Sequence, residues 1–273
     1  MVITLAEMHR SGIISLLTDF GTRDGYVAAM KAVVLGIHPA ARLVDVSHDV
    51  EPQDVQSGAF LLCHHSRLFP PGTAHLAVVD PGVGTARRLL AVQSGEQIYL
   101  APDNGLLDFC LDSEVRSAVE ITDSRFWRCP VAPTFHGRDI LAPVAAYVAA
   151  GLPLGELGPA TTLERRLPRW SASFDPEGVV GQVVYVDSFG NLITNITSSN
   201  LGAVGPASDL EVSLEDKVIG AVNPTYGTAR PGAVVAVVGG FDRLEIALFR
   251  GSASVHFGVG LGAKVMVRRT AQL

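Results

Sequence analysis

The sequence predicts a two-part chain, a larger amino-terminal domain of mostly parallel α/β type followed by a smaller all-β domain. Three observations carry this expectation. From Ile13 to Gly151, apolar runs of strand length alternate with stripes of helical spacing, as in a parallel sheet with crossover helices. From Val179 onward only short strands separated by Gly, Asn and Pro remain, the pattern of a small antiparallel barrel or sandwich. Between Gly158 and Gly178 the composition shifts, with Arg165, Arg166, Pro168, Arg169, Asp175, Pro176 and Glu177 and no sustained periodicity. The expected division is therefore 1–165, a linker over 166–178, and 179–273.

Taken in order, Ile13 to Thr18 reads as a strand that ends in the polar, Gly-punctuated turn Asp19 to Gly25. Val27, Met30, Val33, Val34 and Ile37 recur at helical spacing until His38-Pro39 stops the helix. Leu43 to Val46 is the next strand, and Pro52-Gln53-Asp54 caps a helix from about Val55 to Leu68, with Ala59, Leu62 and Cys63 facing inward. Ala77-Val78-Val79 is a buried strand that Pro81 and Gly82 forbid from continuing, which leaves Asp80 at its carboxyl end. Short strands follow at Leu89 to Val92 and Ile98 to Leu100, then the turn Ala101 to Gly105, a short apolar helix from Gly105 to Leu111 and a strand near Val119 to Ile121. Leu141, Val144, Ala145 and Val148 form a helical stripe that places His136 at or just before a helix start. In the second part, strands are expected at Gly181–Val186, Leu192–Ile196, Leu210–Leu214, Ala233–Val238, Leu244–Leu248 and Lys264–Val267.

Composition narrows the function classes. The chain has 273 residues, 48% hydrophobic and 18% charged, which suffices for a sizeable core. A net charge of −6 with no Lys/Arg-rich run argues against nucleic acid or an anionic membrane as partner. No stretch approaches the roughly 20 apolar residues of a membrane span, and Met1 to Arg10 carries no apolar leader core, so a cytoplasmic location is expected. Cys63, Cys110 and Cys129 are odd in number and widely spaced, which suggests neither a disulfide framework nor a zinc site; they read as buried small apolar residues.

The chemistry is expected around Val78 to Arg88, where an apolar run stops at one carboxylate and turns through two glycines into paired arginines. The carboxyl edge of an open α/β sheet is where ligands bind. The glycines do not make a phosphate-binding loop, because no Gly-Lys-Ser/Thr ending follows. An Asp80–Arg87 ion pair pinning a loop accounts for the same residues as well as catalysis does. A helix start would hold His136 neutral, able to act as a base or hydrogen-bond donor; a capping or packing histidine is the plainer alternative.

Taken together, Thr18-Asp19-Phe20-Gly21, Asp80 to Gly84 with Arg87, Pro102 to Gly105, Thr134 to Asp139 and Asp187 to Asn191 resemble the S-adenosylmethionine hydroxide adenosyltransferases, relatives of the fluorinating and chlorinating enzymes. The resemblance runs in order from about Ile13 to Val267. It implies a β-barrel second domain and a homotrimer with sites at subunit interfaces. It also implies hydrolysis of S-adenosyl-L-methionine (SAM) to adenosine and L-methionine, with no metal and no cofactor beyond the substrate. The family's catalytic Asp, Arg and His match Asp80, Arg87 and His136; Asp19 matches a ribose contact, Asp24 and Asp187 the methionine amino side, and Phe189 and Asn191 the rest of the substrate-binding set, Asn191 at adenine. One departure stands out: where the family carries Asn-Ser-x-Gly-Tyr before Leu-Glu-Ile-Ala, this chain reads Gly239 to Arg243, which implies weakened SAM binding with adenosine still held, and Arg243 or Arg250 as the available compensation. Two alternatives remain, a SAM or adenosine sensor with little turnover and a halide transferase acting at C5′.

Overall fold

Buried apolar runs form the central strands of the first sheet, and helices connect its parallel strands β1, β2 and β3. The computed structural model describes residues 9–111, 115–164, 166–168 and 170–270, so 1–8, 112–114, Arg165, the linker residue Arg169 and 271–273 lie outside it. The chain divides into two compact units, Met1–Pro168 and Arg169–Leu273.

In the first unit, β1 (Ile13–Thr18), α1 (Tyr26–Ile37), β2 (Arg42–Ser47), α2 (Val55–Ser66) and β3 (Ala74–Val78) are followed by β4 (Leu89–Ser94), β5 (Gln97–Pro102) and β6 (Val115–Glu120). The strand order is β2-β1-β3-β5-β4-β6, with β1 parallel to β2 and β3, β3 parallel to β5, and β4 antiparallel to both neighbours. α1 contributes Met30 and Val34 to the core shared with α3 (Ala142–Ala149), whereas α2 buries Ala59, Phe60 and Leu62 outside that cluster. The chain thus changes sides between β1 and β3, and the carboxyl ends of these two adjacent strands form the switch point at which α/β sheets bind ligands. Asp19 follows β1 and Asp80 stands two residues after β3.

Several expectations need correction. The apolar helix over Gly105 to Leu111 is a series of turns: Gly105 has a left-handed φ of 102°, and the Asp108 carboxylate is spent on the backbone N–H groups of Arg166 and Leu167, both at 2.6 Å. Part of the expected linker is ordered, since Ser173–Asp175 forms a strand. Cys63 and Cys110 are buried, but Cys129 is exposed. α2 ends two residues before the expected Leu68.

The second unit contains β7 (Ser173–Asp175), β8 (Gly178–Val186), β9 (Leu192–Thr197), α4 (Ser198–Val204), β10 (Leu210–Leu214), β11 (Lys217–Gly220), β12 (Val222–Asn223), β13 (Val234–Val238), β14 (Arg243–Leu248), α5 (Ala253–Phe257) and β15 (Lys264–Arg269). The strands run β11-β10-β15-β8-β9-β14-β13-β12, with β7 beside β8, and β10 and β11 come near β12 and β13, so the sheet curls into a nearly closed barrel. All pairings are antiparallel except β12 with β13. Its interior is aliphatic, with Val179, Val183, Ile196, Val212, Ile246 and Val267 among the fully buried side chains.

Candidate active site

Pro81 and Gly82 end the β3 run, and the following turn folds back so that Arg87 meets the acid seven residues earlier. Arg87 Nε donates to both oxygens of Asp80, at 2.8 and 2.9 Å, and its Nη2 makes a further close contact with Oδ2. Both side chains are nearly out of water, 10% and 5% exposed. Gly82 leaves room for this closure, since a Cβ there would stand 3.2 Å from Arg87 Cδ. A forked, charge-assisted pair of this kind fixes both position and orientation.

The same guanidinium reaches His136: Nη1 and Nη2 both stand 3.1 Å from Nδ1. An arginine has donors only, so Nδ1 must be the acceptor, and the neutral ring carries its proton on Nε2. Burial, and then the Arg87 cation, hold the His136 pKa below its ordinary 6.5 against the opposing pull of Asp80 and Asp139. The histidine is therefore held neutral first by burial and second by a cation 49 residues away in sequence. Its place at the N-cap of a π-helical turn, Gly137–Leu141, sets where the ring stands. Gly137 lets this turn sit on the end of β3, with its added-Cβ position only 3.3 Å from Val78 Cγ1.

Asp139 holds the loop that carries His136. Its fully buried carboxylate accepts from Ala132 N at 2.8 Å, from Arg138 Nε and Nη2 at 2.7 Å each, and from Arg128 Nη1 at 3.1 Å. Hydrogen bonding by Arg138 is the main reason its pKa drops to about 2. Phe20, Tyr26 and Phe135 meet edge to face or tilted, with centroids 5.4 to 5.9 Å apart, tying the Asp19 loop to the His136 loop. Sequence reasoning missed this aromatic trio: spacing along one chain carries no signal that residues 20 and 135 touch.

Asp19 is partly exposed and accepts from Gln53 N at 2.9 Å through Oδ2. It borders an open groove, about 570 Å³ including solvent, lined also by Phe20, His48, Asp49 and Glu51. Asp24 is exposed in the loop before α1. Asp103 and Asn104 turn out to be committed within the fold. Asp103 pairs with Arg88 at 2.6 Å and Arg166 at 2.9 Å, and Asn104 Nδ2 donates to Val79 O at 2.8 Å, bracing the residue before Asp80.

In the second unit, Asp187 and Asn191 are brought together. Asp187 Oδ1 accepts from Phe189 N and Asn191 N at 2.9 Å each, and its Oδ2 accepts from Asn191 Nδ2 at 2.8 Å. This bracing leaves the Phe189 ring 75% exposed, an aromatic face presented on a rigid hairpin. Beneath the nearby Gly239 turn lies Glu245, buried and bonded by the Tyr226 hydroxyl; burial raises its pKa, and Asp187 adds to the effect. A Cβ on Gly239 would overlap this carboxylate at 1.7 Å, which explains a glycine there.

Comparison with known proteins covers most of the chain. Residues 14–158 match the SAM hydroxide adenosyltransferase N-terminal domain, and residues 181–266 match the C-terminal domain of the same name. An (R)-S-adenosyl-L-methionine hydrolase of Salinispora tropica is 39% identical over 262 residues, covering 93% of this chain and 97% of that protein. A fluorinase of Nocardia brasiliensis is 31% identical over 296 residues, covering 95% and 97%. The crystal structure of an uncharacterized conserved protein from Thermotoga maritima superposes with a TM-score of 0.87 at 34% identity, covering 93% of this chain and 99% of that one.

Proposed function

The chain belongs to the S-adenosylmethionine hydroxide adenosyltransferase family, and on that premise we propose that it hydrolyses SAM to adenosine and L-methionine by attack of water on ribose C5′. The observation that supports this most is the hydrogen-bonded, partly buried chain Asp80–Arg87–His136 at the switch point of the sheet. The sulfonium carries its own leaving group: the C5′–S bond breaks with its electrons going to sulfur, methionine departs neutral, and no general acid is required. What the protein must supply is an oriented water and an acceptor for its proton. A carboxylate offers about four lone-pair sites, and Arg87 engages Asp80 through two nitrogens, Nε shared between the two oxygens and Nη2 on Oδ2, which leaves acceptor capacity for the water proton. Nε2–H of His136 is the donor that holds the water's second lone pair, so that its first points at C5′. Arg87, a fixed cation in a site withdrawn from water, steadies both partners and the developing hydroxide.

Around this trio, Asp19 meets the ribose hydroxyls and Asp24 the methionine amino group, while Asp187, Phe189 and Asn191 receive the methionine end and the adenine. Phe189, exposed on a braced hairpin, suits a base-stacking role. These second-unit residues act, on the family resemblance, from a neighbouring copy in a homotrimer; a monomer that sedimented alone and turned over SAM would contradict that arrangement. No metal or cofactor takes part in the proposed reaction, and the cytoplasm remains the expected location. Among the described residues no helix is long and apolar enough to cross a membrane.

Halide transfer to C5′ is the weaker reading, because the hydrolase relative is the more similar one, 39% against 31% identical. The hydrolase relatives are named for the (R) sulfonium. Departure from C5′ is the same bond cleavage for either epimer, so any preference has to arise where the methionine arm is held. The test is adenosine release from the resolved epimers. The proposal expects the (R) epimer to be consumed faster; equal rates would remove the stereochemical part, and no adenosine from either would remove the function.

A further inference from the structure

Behind Asp19 lies a chain of polar side chains that the reaction itself does not use. Lys31 Nζ donates to Asp45 Oδ2 at 2.6 Å, and His48 Nε2 stands 3.0 Å from Asp45 Oδ1 in a contact bent away from linear. His48 Nδ1 is 2.9 Å from Thr18 Oγ1, which in turn accepts from Phe20 N at 3.3 Å. His48 also takes the Gly21 N–H on its backbone carbonyl at 2.7 Å. The Asp–His–Thr order is that of a hydrolytic nucleophile, but the Thr18 hydroxyl that would attack is fully buried, and His48, at the groove's edge, is only 5% exposed. What the chain touches is the backbone on both sides of Asp19.

We propose that His48 and Thr18 are positioning residues for Asp19, setting substrate affinity by locking the β1–α1 loop against the β2–α2 loop; this rests on the reading of Asp19 as a substrate contact. The direction of the chain follows from charge. Burial alone would raise the Asp45 pKa, but the bond from Lys31 and the close approach of His48 outweigh it and hold the group lowered and ionised. An anionic Asp45 draws the His48 proton to Nε2, which leaves Nδ1 to accept the Thr18 hydroxyl proton and frees the Thr18 oxygen for Phe20 N–H. Asp19 therefore stands between two fixed points, Thr18 and Gly21, and its own Oδ2 is pinned by Gln53 N–H. Gln53 sits at a φ of 69°, a left-handed conformation that a non-glycine residue adopts only when its surroundings impose it, so the clamp extends into both loops.

A residue that only orients a binding carboxylate should alter KM more than kcat. Thr18→Val removes the hydroxyl with little change of volume, Thr18→Ser restores it, and His48→Gln keeps one donor and one acceptor. Loss of a buried bond corresponds to roughly 5- to 150-fold in affinity. We expect Thr18→Val and His48→Ala to raise KM for SAM by about tenfold with kcat within about twofold, and Thr18→Ser and His48→Gln to recover most of the loss. In an Asp19→Ala background the same changes should add almost nothing, because their effect passes through Asp19. Full additivity with Asp19→Ala, or an equal fall in kcat, would overturn the proposal. Adenosine titration calorimetry on the same variants keeps the two readings separate. A parent protein that binds adenosine but releases none from SAM would sink the hydrolase function alone, with the double-mutant comparison then read in binding. A parent that binds no adenosine would sink both.

Discussion

At the scale of single residues, the decisive group is Arg87, because its five donors settle the state of both neighbours. It fixes the Asp80 carboxylate and compels His136 to present Nδ1 as an acceptor. Asp80 and Arg87 were legible as a pair, since a buried strand broken by Pro-Gly and followed seven residues later by an arginine leaves few other geometries. The histidine was legible as a candidate, but the reasons for its neutrality were not: burial comes from tertiary packing, the cation that adds to it lies 49 positions away, and only a helix start was visible in the sequence. The difference is measurable by NMR titration of the His136 ring. Because the folded pKa is lowered, the neutral form should persist below pH 6.5, and Arg87→Met should move the midpoint upward by removing the cation and unmasking the Asp80 charge. A midpoint at or above 6.5 in the parent, or one that does not move in the variant, would contradict this account of the site.

At the scale of elements, periodicity located most strands and helices because most of them bury a face of the expected period. It failed at Gly105 to Leu111, where apolar residues at near-helical spacing are held in turns by Asp108 and a left-handed glycine. The turn before β14 shows how a pattern can change while its backbone stays. Asp242 has a left-handed φ of 56° at the place where the pattern of the resemblance has glycine, the residue best suited to that conformation. Gly240, where that pattern has serine, faces open space: an added Cβ would meet nothing within 4 Å. Gly240→Ser should therefore be accommodated without strain and return a hydroxyl donor to the methionine end. We expect SAM to bind on the order of 5- to 150-fold more tightly, with adenosine affinity unchanged. Calorimetry showing no gain for SAM, or an equal gain for adenosine, would mean that this position does not face the methionine arm.

At the scale of the whole molecule, stability and function draw on different polar networks of the first unit. His75 is fully buried in β3, its Nδ1 2.6 Å from Ser15 Oγ and its Nε2 3.2 Å from Gln97 Oε1, and burial pushes its pKa down to about 4. The unfolded chain takes up this proton near pH 6.5 and the folded one only near pH 4, so stability is complete above the first value, declines between the two and levels off below. The decline attributable to His75 is about 3 kcal/mol. Urea unfolding at pH 7.5 and pH 4.5 should show it in the parent and not in His75→Asn; parallel losses in the two proteins would assign it elsewhere. The apolar run announced only Ala77 to Val79, whereas the strand is Ala74–Val78, and His75 was not read as part of it, because a polar network between strands leaves no periodic trace. The central claim concerns the other network, in which water, steered by Asp80, Arg87 and His136, displaces methionine from C5′. Its most direct test is SAM turned over in ¹⁸O-water without halide, with the nucleoside product read by mass spectrometry. The account predicts adenosine carrying one ¹⁸O at the 5′ position; unlabelled adenosine, or a 5′-halogenated nucleoside formed only when chloride or fluoride is supplied, would contradict it.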